Sequence, residues 1–221
     1  MSLHSTFEGW RDFRLAAENL AIGRSGRALT ADLSFSLAGG EALVVTGSNG
    51  AGKSTLLRTL AGLLPSLAGT IRVSGDGIEV GDPPGLFAHY LGHADGMKSG
   101  LTVRENLDFW AAMLGRQGSS AEAALAAVDL PHVADFPAGY LSAGQKRRVA
   151  LARLLVARRP LWLLDEPTTA LDVAAQQRFA GIMRAHLDNG GIVVAATHSP
   201  LGLEGARELR IEAQRARGAT A

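Results

Sequence analysis

The sequence predicts an α/β fold, a mainly parallel sheet covered by helices. Three observations carry this reading. Short continuous apolar runs, the mark of strands buried on both faces, recur along the chain. Segments with helical periodicity alternate with them. Glycine is abundant, 27 of 221 residues, and several glycines stand where an apolar run stops.

In chain order, Leu33-Ser-Phe-Ser-Leu37 alternates apolar and polar, as a half-exposed strand does. Residues 41–46 are a buried strand that stops at Gly47. Residues 53–63 read as a helix, and 87–91 as a further strand. Thr102-Val-Arg-Glu105 is a capping box opening a helix with Leu107, Trp110, Ala111 and Leu114 on one face. Ser119-Ser-Ala-Glu122 repeats that pattern before an Ala-rich helix. Residues 142–157 form the next helix, 161–164 a buried strand, and 173–189 a helix closed by Gly190-Gly191. Residues 192–197 are again a buried strand. The middle, about 102–156, lacks strand patterns and reads as a helical insertion in the sheet.

Composition narrows the function classes. The length is ample for a real core, and 47% hydrophobic residues exclude a disordered chain. A net charge of +1 gives no electrostatic reason to expect a nucleic-acid partner. With no cysteine, disulfide scaffolds, thiolate metal sites and thiol catalysis are excluded. No run approaches the ~18–20 apolar residues that span a bilayer, and the first residues do not look like a signal peptide. The expectation is a soluble cytoplasmic chain that reaches a membrane only through a partner.

Gly47-Ser-Asn-Gly-Ala-Gly-Lys-Ser54 matches G-x-x-x-x-G-K-[ST], after a strand and before a helix. Phosphate oxygens need several donors at once. Gly47, Gly50 and Gly52 let consecutive N–H groups turn inward beside Ser48, Asn49 and Ala51, and the following helix adds its positive end. Lys53 supplies charge for the β/γ-phosphates, Ser54 a hydroxyl for Mg²⁺, and Thr55 completes the candidate cofactor site. Asp165 and Glu166 end an apolar strand, the place where parallel sheets bind ligands. Asp165 suits a hold on Mg²⁺, and Glu166 suits deprotonating an attacking water.

Leu141-Ser-Ala-Gly-Gln145 lies upstream of that pair, and Thr168-Thr-Ala-Leu-Asp172 and Thr197-His198 follow it. With the phosphate loop, this order resembles the ATP-binding-cassette family of ATPases, although Ala143 stands where the family usually has Gly. The resemblance covers about residues 13–212. It implies a P-loop NTPase core with a mainly parallel sheet, a small antiparallel portion, and a helical subdomain at about 100–157, all in one domain over 13–221. It also implies ATP and Mg²⁺ as cofactors, and a homodimer in which Ser142, Gly144 and Gln145 of one copy face the ATP of the other. His198 would contact the γ-phosphate and join Glu166 and Lys53 as a catalytic residue, with Asp172 at the dimer seam.

Two positions depart from the pattern. The family's metal-holding Gln corresponds here to His93, which can bind the metal or simply hydrogen-bond backbone. If it serves the metal, hydrolysis is expected to be more sensitive to mild acid than with Gln. Around Ile22-Gly-Arg24 there is no aromatic for adenine, which leaves Arg24 as the stacking candidate and ATP-over-GTP preference open.

Gly92-His93, Gly96-Met-Lys98, the helix of 141–154 and Thr197-His-Ser-Pro-Leu201 together resemble the haem-exporter ATP-binding subunits of the bacterial cytochrome c maturation system. That implies an ATPase at the cytoplasmic face of the inner membrane, powering haem export through an integral membrane subunit, without binding haem itself. The alternative is a soluble cassette ATPase serving a cofactor-assembly machine. Phe109, Trp110 and Met113 are either a groove for the membrane subunit's helix or the small core of the insertion, the latter favoured for Trp110. Lys146-Arg-Arg148 reads as a solvated helix face with helix-end and phosphate-related contacts, not a nucleic-acid patch.

Overall fold

A computed structural model describes residues 9–24, 27–115 and 118–212. Two sheets organise the described residues. β1 (Arg14–Arg24), β2 (Arg27–Ala38) and β4 (Ala68–Ser74) form an antiparallel sheet in the order β2-β1-β4. The other holds β5 (Ala88–Leu91), β6 (Leu161–Asp165), β7 (Ile192–Ala196), β3 (Ala42–Thr46) and β8 (Arg207–Arg210), in the order β5-β6-β7-β3-β8 and parallel throughout.

Parallel strands need crossovers, and helices supply them. α1 (Lys53–Leu60) follows β3, α5 (Val173–Asp188) follows β6, and α2 (Val103–Leu114), α3 (Ala121–Ala127) and α4 (Ala143–Val156) all fall between β5 and β6. The expected strandless middle is helical, and among its described residues the one β-bridge joins Thr102 and Pro137.

The central strands are buried on both faces, and their residues alternate between two cores. Leu43, Val45, Leu161, Leu163, Ile192 and Val194 pack with α1 and the antiparallel sheet. Ala42, Trp162, Leu164, Val193 and Ala195 pack with α2–α5. This alternation is why these strands read as unbroken apolar runs.

Several elements differ from the sequence reading. α1 ends at Leu60 rather than 63, and β2 is far longer than 33–37. The cap of α3 is Ser120, whose Oγ accepts from Ala123 N; Ser119 instead donates its N–H to Leu155 O. Glu122 therefore stands at the second helical position, where no capping box can close. β1, β4 and β8 had no sequence signal. β1 shifts register between Ala17 and Leu20, with Asn19 at φ 47°, so its apolar period of two slips midway.

The box at Thr102 and Glu105 is present, and Trp110 packs against the α2–α4 core with its Nε1 donating to Gly96 O at 3.3 Å. Arg153 lies over its ring at 4.4 Å. Phe109 and Met113 are exposed, with Lys98 over the Phe109 ring at 4.2 Å.

Among the described residues two histidines are buried, His89 within β5 and His186 on α5. His89 Nε2 bonds Ala157 O at 2.7 Å. His186 Nε2 bonds Pro160 O at 3.2 Å, and its ring stacks on Trp162 with centroids 3.9 Å apart. Burial lowers both well below the ordinary histidine value, to about 3 for His89 and about 4 for His186. Gly191 makes room for the second, because a Cβ there would enter the imidazole ring.

A candidate nucleotide-binding and hydrolysis site

β6, β7 and β3 are neighbours in the sheet, and all point the same way. Whatever follows their C-terminal ends must therefore cluster on one edge. The phosphate loop follows β3, Asp165-Glu166 end β6, and Thr197-His198 follow β7.

The loop is shaped by backbone constraints. Gly47 has φ 140°, and a Cβ there would collide with the carbonyl oxygen of Ile211, whose N–H bonds Thr46 O at 2.8 Å. Gly50, at φ 81°, faces open space, so it is required for its conformation rather than for room. α1 begins at Lys53 with no side-chain cap, which leaves its first N–H groups to an anion.

A cleft of about 350 Å³ is lined by Asn49, Gly50, Gly52, Lys53, Ser54 and Thr55 from the loop side and by His93, Asp165 and Glu166 opposite. Leu29 adds an apolar wall that the sequence reading missed. The Arg24 side chain, the expected adenine contact, lies outside the described residues. A larger cavity, about 760 Å³, borders the antiparallel sheet and holds none of these groups.

Lys53 is buried and donates to Gly47 O at 2.7 Å and Ser48 O at 3.2 Å. Its Nζ also lies 3.0 Å from His198 Nε2. An ammonium can only donate, so that ring nitrogen accepts. His198 Nε2 is 3.2 Å from Asn49 Oδ1 and 3.9 Å from Glu166 Oε1. The structure thus brings Lys53, Glu166 and His198 together.

Glu166 sits at φ 46°, a left-handed conformation that costs a non-glycine residue about 1–2 kcal/mol. Its N–H bonds Ala196 O at 2.8 Å, and Thr197 Oγ1 donates to its Oε2 at 3.2 Å. Thr197, buried just after β7, orients this carboxylate, a role that the Thr197-His198 motif alone did not assign to it. Asp165 is buried, and its Oδ2 has no hydrogen-bond partner. The nearest cationic candidate is His93 Nδ1 at 3.5 Å, on a ring that is largely exposed. A buried, unpartnered carboxylate oxygen beside a phosphate cradle fits a divalent cation.

Ser142, Gly144 and Gln145 lie elsewhere. Ser142 caps α4 in a closed box: its Oγ accepts from Gln145 N at 3.2 Å, and Gln145 Oε1 accepts from Ser142 N at 2.9 Å. Neither these two nor Gly144 lines the cleft of the same chain. Asp172 Oδ1 caps α5 by accepting from Ala175 N at 2.7 Å.

One reading is corrected. Arg147 is not on a solvated face; it is 4% exposed, turned into the protein against the β6 turn. Arg148 does stay near the surface, with Asp129.

Comparisons with known proteins agree with this geometry. The family model described as ABC transporter matches residues 30–169. Proteins named "Cytochrome c biogenesis ATP-binding export protein CcmA" are similar over most of the chain. That of Chelativorans sp. (strain BNC1) is 56% identical, covering 90% of this chain and 98% of its own length. Those of Rhodopseudomonas palustris (strain BisB5) and Rhizobium meliloti (strain 1021) are 54% and 55% identical, each covering 90% of this chain and 98% and 97% of their own. Among solved structures, an ATP binding subunit of an ABC transporter superposes with TM-score 0.77 at 24% identity, over 89% of this chain and 85% of its own. A chain from Pyrococcus furiosus superposes at 0.75 with 23% identity, over 90% of this chain and 97% of its own. These two likenesses concern the fold alone. The chain belongs to the ABC transporter family, as its ATP-hydrolysing domain.

Proposed function

We propose that this chain is the ATPase subunit of an export complex of cytochrome c biogenesis and powers haem export or haem handling. The convergence of Lys53, Glu166 and His198, beside the unpartnered Asp165 oxygen, carries the hydrolysis reading. The export reading is supported by the printed names of relatives that match nine-tenths of the chain.

The chemistry follows from the side chains. Lys53 and the loop N–H groups hold the phosphates. Glu166 takes the proton of the attacking water at its carboxylate, which Thr197 orients. His198, which accepts from Lys53 and stands beside Glu166, contacts the γ-phosphate. Ser54 and Asp165 would hold Mg²⁺, with His93 beside them; when bound, the ion would neutralise charge on the β- and γ-phosphates.

Two copies pair head to tail, so that Ser142, Gly144 and Gln145 of one close the cleft of the other. In support, α4 offers a capped N-terminus on an exposed Ser142 that its own cleft does not use. Residues 13–221 act as one cassette domain with a helical subdomain at about 100–157. Among the described residues no helix is long and apolar enough to cross a membrane. The subunit works peripherally at the cytoplasmic face of the inner membrane, held by an integral membrane subunit, and does not bind haem itself. The exposed Phe109 and Met113 are the docking candidates.

Glu166→Gln tests the reading. The variant should retain bound ATP, lose turnover, and still co-purify from membranes with an integral membrane protein. Full turnover would overturn the mechanism, and a chain that leaves membranes free of any such protein would overturn the export role.

A further inference from the structure

Arg147 makes an unusual set of contacts. Its guanidinium donates from Nε to Pro167 O at 3.1 Å, and from Nη2 to Asp165 O at 3.0 Å and Glu166 O at 2.6 Å. Nη1 donates to Gly92 O at 2.9 Å and to Asp95 Oδ1 at 3.3 Å. One buried cation therefore grips three consecutive carbonyls of the carboxylate turn and the residue before His93. It does so from the second turn of the helix that Ser142 caps.

We infer that Arg147 is a positioning residue for hydrolysis, holding the Asp165–Pro167 turn, the His93 loop and α4 in one register. The turn needs such a hold. Glu166 keeps a left-handed backbone, and the bonds at its two peptide groups, from Arg147 and to Ala196, resist its relaxation. If the turn relaxed, the Glu166 carboxylate would swing away from Thr197 and the cleft. Only a planar fork reaches these acceptors together, since a lysine presents a single nitrogen. Its bonds reach the carboxylate side of the cleft and none reaches the phosphate loop or Lys53, so hydrolysis should suffer far more than nucleotide affinity.

This inference rests on Glu166 acting on water, as proposed above. The test uses the full chain with Arg147→Gln, Arg147→Lys and Glu166→Gln in parallel. Fluorescent ATP gives affinity and the number of sites per chain; phosphate release gives kcat and KM. Arg147→Gln should lower kcat about 100-fold, the scale of an ångström of misplacement, with affinity and site number within about threefold of wild type. Arg147→Lys should keep the buried charge, and hence the fold, yet recover no more than about a tenth of wild-type kcat. Wild-type kcat in Arg147→Lys, or a kcat loss matched by an equal loss of binding sites, would reduce Arg147 to a structural cation and overturn the inference. Turnover surviving in Glu166→Gln would instead overturn the role of Glu166, which separates the two failures.

Discussion

The buried histidines predict a specific acid sensitivity. His89 and His186 are neutral in the fold, with values near 3 and 4, whereas an unfolded histidine titrates near 6.5. Desolvation is the main cause in both; for His89, Arg153, Arg159 and His186 itself push the same way. Below about pH 6.5 the unfolded chain therefore binds protons that the folded chain does not. The stability is fully present above that pH and drains as pH falls toward 4 for His186 and 3 for His89. Between pH 7 and 5 each histidine removes about 2 kcal/mol, at about 1.4 kcal/mol per pH unit over roughly 1.5 units. His186→Phe keeps a ring on Trp162. It leaves Pro160 O bonded to Ile192 N at 2.7 Å, so that carbonyl keeps a donor. Urea unfolding at pH 7, 6 and 5 should show the variant losing about 2 kcal/mol less than wild type across that range. Ion pairs elsewhere titrate in both proteins and cancel in the difference. Equal losses in the two proteins would refute the reasoning.

Gly191→Ala drives a methyl into the His186 ring and should cost about 1–3 kcal/mol, read as a lower thermal midpoint. Thr197→Val removes the hydroxyl that orients Glu166, so kcat should fall about tenfold, the equivalent of one charge-assisted bond, with ATP affinity unchanged in a binding titration. Ser142→Ala opens the α4 capping box and should remove about 1 kcal/mol of stability, measured by urea unfolding.

The catalytic edge was legible because its residues sit where strands end, and each motif is local. The phosphate loop, Asp165-Glu166 and Thr197-His198 need only their own neighbours to be recognised, and the parallel register then assembles them. What stayed hidden is non-local or irregular. β1 was masked by its mid-strand register shift, and β8, Arg207–Arg210, carries charges at an exposed edge and has no apolar pattern. Arg147 looks like its neighbours Lys146 and Arg148 in sequence. Its acceptors lie 18–20 and 52–55 residues away, so only the folded chain distinguishes it. His89 and His186 show no signal for the same reason, since their partners come from other elements.

The alternation of the central strands between two cores has a consequence for how this fold can change. Leu163 and Leu164 are adjacent in sequence, yet one belongs to the nucleotide side and the other to the helical side. Substitutions at such neighbours should couple to each other less than Leu164 couples to residues of α4 and α5 far along the chain. The sheet thus works as a partition. The helical half can be remodelled to suit a different membrane partner while the packing beneath the phosphate loop is left undisturbed.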